Sequence, residues 1–212
     1  MNKALDILAN ILSVVFYPLF MPTYGMALFC YSYHTAVQPL HWIWMTVAIC
    51  GTFLLTALIP VTAIWVRMRR GFVKDMQITN SGERTIPYLY SIFGFGSWCY
   101  LLIAILHMPS FMGFVCIGAT AAIGIVTIIN LFWKISAHMT GLGGLFGGLI
   151  TYCIGVGAIP TVGTMCLWIG IILLVMYARL RLNAHTPAQV AAGWLLGIAC
   201  TALPYCIYSY VV

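Results

Sequence analysis

Acidic side chains are almost missing: Asp6, Asp75 and Glu83 are the only three in 212 residues, and charge of either sign makes up 6% of the chain. A soluble domain carries about 25% charged residues. That deficit, with 63% hydrophobic residues and a mean hydropathy of +1.05, excludes a water-exposed globule and implies an integral membrane protein. The eight cysteines contain no C-x2-C pair, so they give no sign of a zinc or disulfide framework and read as reduced, small buried hydrophobes. Low-complexity segments and clear internal repeats are also missing. No small-residue cleavage site follows the first apolar run, which is expected to be a retained helix.

What is present is a series of apolar runs, each near the roughly 20 residues needed to cross a bilayer. The expected architecture is all-α: one polytopic helical membrane domain over residues 1–212 with about six or seven transmembrane helices. The runs cover about 4–33, 40–66, 86–106, 110–132, 136–158, 161–178 and 187 to the end. Pro18 and Pro22 should kink the first or split it, because proline removes a helix hydrogen bond and clashes with the preceding turn. In "GLGGLFGG", Gly143 and Gly147 have the four-residue spacing that lets helices pack closely.

If every run crosses once, the N-terminus and the junctions at 67–84, 130–138 and 178–185 share one face. All nine basic residues then lie there: Lys3, Arg67, Arg69, Arg70, Lys74, Arg84, Lys134, Arg179 and Arg181. Lys3, Arg67, Arg69 and Arg70 fit the positive-inside rule as anchors, which puts this face in the cytoplasm, with the protein in a bacterial inner membrane. Lys134, Arg179 and Arg181 occupy junctions too short to be ordinary solvated loops. Three acids cannot neutralise these converging cations, so an anionic ligand is the natural partner. His138 and His185 lie on the same face at helix starts, whereas His34, His41 and His107 fall on the other and read as interfacial structural residues. Cations, helix N-termini and two imidazoles outline a site for phosphoryl chemistry.

These residues resemble the type-2 phosphatidic acid phosphatases, a membrane branch of the superfamily containing vanadium-dependent haloperoxidases. The pattern of that family is K-x6-R-P, then P-S-G-H, then S-R-x5-H-x3-D. Here "ARLRLNAHTPAQ" keeps R-x5-H with Arg179 and His185, and "ISAH" keeps Ser136 and His138. The first part is looser: Lys74 and Arg84 are separated by nine residues, and Pro87 follows Arg84 after Thr85 and Ile86. The likeness spans about residues 67–200.

The resemblance implies hydrolysis of a lipid phosphate through a phosphohistidine, with neither metal nor other cofactor. His185 would be the nucleophile and His138 the general acid. Lys74, Arg84, Ser136 and Arg179 would hold the phosphoryl oxygens, with Lys134 as a further cation. The implied partners are a phosphorylated lipid (phosphatidic acid, phosphatidylglycerol phosphate, a polyprenyl (pyro)phosphate or a lipid A type) and the bilayer itself, and no nucleic acid. Gln189 stands where the family has aspartate. Its amide oxygen offers His185 an acceptor one turn away but no negative charge, and Asp75 or Glu83 is the alternative source of a carboxylate. Two other readings stay open: a degenerate relative that binds or moves a phosphorylated lipid, and an unrelated small transporter whose basic junctions are only anchors.

Overall fold

The computed structural model describes residues 3–74 and 83–211, and among these the chain is helical with no strand. Eight helices follow one another: α1 (Lys3–Val15), α2 (Met21–Ala36), α3 (Trp42–Arg69), α4 (Thr85–Ile105), α5 (Ser110–Asn130), α6 (Ala137–Val156), α7 (Val162–Arg181) and α8 (Pro187–Val211). The six from α3 to α8 are long and apolar enough to cross a membrane. All-α, polytopic membrane architecture is therefore the fold, with six such helices.

The first apolar run does not form one helix. It breaks at residues 16–20, around Pro18, and Pro22 lies in the first turn of α2, where a missing N–H costs nothing. The break leaves α1 thirteen residues long, too short to span. Its buried face is made of small residues, Ala9 and Ser13, of which Ser13 is polar, while Ile7, Leu8, Ile11, Val14 and Val15 point outward. That arrangement suits a helix with lipid outside and polar partners inside. Every carbonyl of its last turn is satisfied: Leu12 by the Phe16 N–H, Ser13 by His138, Val14 by the Tyr17 N–H, and Val15 by the Tyr24 hydroxyl. Arg181, one of the junction cations, is ion-paired to α1, its Nε 2.9 Å from the Asp6 carboxylate.

Close packing of α6 on α8 fixes the rest of the geometry. A Cβ at Gly143 would strike the Trp194 carbonyl, and one at Gly147 the Thr201 hydroxyl. From the other side, a Cβ at Gly197 would strike the Thr140 carbonyl, and one at Gly193 would lie 2.6 Å from the Ser136 carbonyl. Two small-residue pairs four apart thus face each other, the role expected of Gly143 and Gly147. The contact is reinforced where Thr151 donates to the Thr201 carbonyl at 2.8 Å and Thr201 lies 3.1 Å from the Gly144 carbonyl. All eight cysteines are free, with Cys30, Cys99 and Cys116 buried.

Candidate functional site

The starts of α4, α6 and α8, the end of α7 and the turn after α1 converge on a cavity of about 60 Å³. Arg84, His138, Arg179 and His185, all singled out by sequence, line it together with Tyr17, Pro18, Leu19 and Tyr88. Among the described residues, no Asp or Glu lines it. Arg84 is 6% exposed and Arg179 4%, so two guanidinium groups sit largely out of water around one small space. The buried Nε–H of Arg179 has no hydrogen-bond partner among the described residues. An unsatisfied buried donor on a cation is costly, and an anion entering the cavity would relieve that cost.

Among the described residues, each imidazole is held by one ring nitrogen only. His185 Nδ1 lies 3.2 Å from the Lys134 carbonyl and 3.3 Å from Gln189 Oε1. A carbonyl oxygen only accepts, so the proton is on Nδ1 and the lone pair is on Nε2. His138 is held the other way round: Nε2 donates to the Ser13 carbonyl at 3.0 Å, and Nδ1 has no partner among the described residues. The edge of the Tyr17 ring packs against His138 with centroids 5.9 Å apart. Burial, and after it the Arg179 and Arg84 guanidiniums, push His185 down from 6.5 to about 4, so it is a neutral base at physiological pH. Burial, then the Arg84 and Arg179 charges, also lower Lys134 from its ordinary value.

Gln189 has a second task. Thr186 caps α8, and its hydroxyl accepts from the Gln189 N–H at 3.4 Å while Gln189 Oε1 accepts from the Thr186 N–H at 3.1 Å. Thr-Pro-Ala-Gln is therefore a reciprocal capping box with proline at its first helical position, a signal that "HTPAQ" carries. The glutamine oxygen is shared between the cap and His185, whereas the Lys134 carbonyl serves His185 from a separate segment.

The other expected phosphate ligands stand further back. Of the described residues, Lys74, Lys134 and Ser136 do not line the cavity. Lys74 is exposed, and its backbone N–H meets the Glu83 carboxylate at 3.2 Å. Ser136 is fully buried as the cap of α6, its hydroxyl 3.4 Å from the Met139 N–H, and its own N–H bonds the Gln189 carbonyl at 3.3 Å. Lys134 acts through its carbonyl. Asp75 lies outside the described residues. Ser13 and Tyr17 were not singled out by sequence; a serine in an apolar run offers only its polarity as a signal.

A larger apolar cavity of about 130 Å³ adjoins the polar one and shares Pro18, Leu19, Tyr88, Ser91 and Ala137 with it. It extends among α2, α4, α5, α6 and α8, bounded by side chains such as Met26, Phe95 and Val126. No family model, no characterised protein and no solved structure matches this chain.

Proposed function

We propose that the protein is a membrane phosphatase acting on a phosphorylated lipid, with His185 as nucleophile and His138 as general acid. The observation that carries this reading is the opposed fixing of the two imidazoles beside two buried arginines. The lone pair of His185 Nε2 would attack phosphorus as the P–O bond to the lipid breaks, and the departing oxygen would take, through Nδ1 of His138, the proton that the phosphate monoanion of the substrate brings into the cavity. Water would then attack the phosphohistidine, giving up a proton to the now neutral His138, and inorganic phosphate would leave. Arg84 and Arg179 would neutralise the equatorial oxygens throughout, the main requirement of phosphoryl transfer. The neighbouring apolar cavity supports a lipid substrate, since a tail placed there leaves its phosphate among the cations.

Lys3, Arg67, Arg69, Arg70 and Lys74 support a cytoplasmic site under the positive-inside rule. Arg67 over Phe72 and Arg69 over Trp65, each 5.2 Å from the ring centroid, suit an interfacial belt. Gln189 favours a second reading, a relative that binds a lipid phosphate without hydrolysing it, because the histidine lacks a charged orienting partner. Purified protein assayed for phosphate release across phosphatidic acid, phosphatidylglycerol phosphate and polyprenyl pyrophosphate separates the two. Release from one of them supports the phosphatase. Thermal stabilisation by a lipid phosphate without release supports the binder.

A further inference from the structure

Ser13 belongs to a helix that the site does not need for its chemistry, yet it touches two of its members. Its carbonyl accepts from His138 Nε2 and its hydroxyl accepts from Arg179 Nη1, both at 3.0 Å. The hydroxyl proton is committed to the Ala9 carbonyl at 2.9 Å, so towards Arg179 the oxygen acts as an acceptor. The carbonyl is free for His138 because α1 ends at Val15 and leaves no helical N–H to claim it. Ser13 is 1% exposed and does not line the polar cavity, whereas His138 and Arg179 do. It therefore holds both side chains from behind and leaves the space in front of them open. The Asp6–Arg181 ion pair, two turns earlier in α1, fastens the same helix to the end of α7.

We infer that Ser13 is a positioning residue of the phosphate site: its carbonyl turns Nδ1 of His138 towards the substrate, and its hydroxyl fixes the Arg179 guanidinium in place for a phosphoryl oxygen. This rests on the phosphatase reading for its chemistry, but the bracing is a property of the substrate-free protein. The negative end of α1 points at a cation and a histidine, which adds to the hold. Had Ser13 been a plug occupying the phosphate position, it would line the cavity and compete with phosphate, and removing its hydroxyl would tighten binding. The bracing role requires the opposite sign.

The test uses full-length protein in lipid nanodiscs. Histidine 15N NMR, with the two resonances assigned by His138→Gln and His185→Gln, should show a protonated Nε2 at His138 and a protonated Nδ1 at His185. The reverse tautomer at His138 would overturn the bracing whether or not the protein turns over any substrate. Affinity for inorganic phosphate and for a short-chain phosphatidic acid is then measured in Ser13→Ala and Ser13→Thr. Ser13→Ala should weaken phosphate about tenfold, the lower end of the scale of one hydrogen bond to a charged group, and Ser13→Thr should restore it. Unchanged or tighter binding in a Ser13→Ala protein that melts normally would overturn the proposal. If the tautomers and the loss of affinity are found but no lipid phosphate is hydrolysed, the phosphatase reading fails and the positioning role stands.

Discussion

His185 Nδ1 and the Lys134 carbonyl oxygen lie 3.2 Å apart, a contact between the start of α8 and the junction before α6. It orients the imidazole with a neutral group and not with a carboxylate. A backbone dipole sets the tautomer as an aspartate does, but stabilises the developing positive charge less.

Adding the missing charge should therefore raise turnover. In Gln189→Glu the longer acid keeps the reach of glutamine, preserves the capping box with Thr186 and favours the positive N-terminus of α8. Phosphate release should rise at least tenfold; loss of the comparable aspartate in the serine-protease triad costs about ten-thousandfold. Gln189→Ala should lower both the melting temperature and turnover, as the cap and one acceptor disappear together. An unchanged rate in Gln189→Glu would mean that the Lys134 carbonyl suffices.

Gly143→Ala and Gly197→Ala should each destabilise the protein through overpacking. The added methyl meets the Trp194 or the Thr140 carbonyl, backbone atoms that cannot swing aside. A cost of about 1–3 kcal/mol is expected, read as a fall in melting temperature in nanodiscs. Gly124→Ala in α5, where a Cβ meets nothing within 4 Å, is the matched control and should be neutral.

The pH dependence follows from His185, held at about 4 against an ordinary 6.5. Between these values the unfolded chain binds a proton that the folded chain refuses, so the contribution of this group to stability is complete above 6.5 and declines as pH falls towards 4. Melting temperatures recorded from pH 7.5 to pH 4 should drop more steeply for wild type than for His185→Gln. Parallel curves would mean that His185 titrates normally in the fold.

The parts of the site legible in sequence were those written in short spacings. Arg179 and His185 stand six residues apart across one helix end, and His138 and Arg84 mark junctions on the same face; all four reach the cavity. The break at Pro18 was legible for the same local reason. Ser136 was legible as a residue but not as a cap, because its hydroxyl and its N–H are claimed by partners that only the fold brings near. Ser13 was illegible: its two partners lie 125 and 166 residues away and arrive through the docking of α1 on α7. "TPAQ" carried its capping-box signal openly, although the position of Gln189 one turn after His185 suggested a catalytic role alone.

Phosphate release from a lipid phosphate by wild type and His185→Ala, prepared and reconstituted side by side, tests the central claim most directly. The account predicts release by wild type and a loss of at least a thousandfold in His185→Ala, with both proteins melting cooperatively. Release that persists in His185→Ala would contradict a nucleophile at that position.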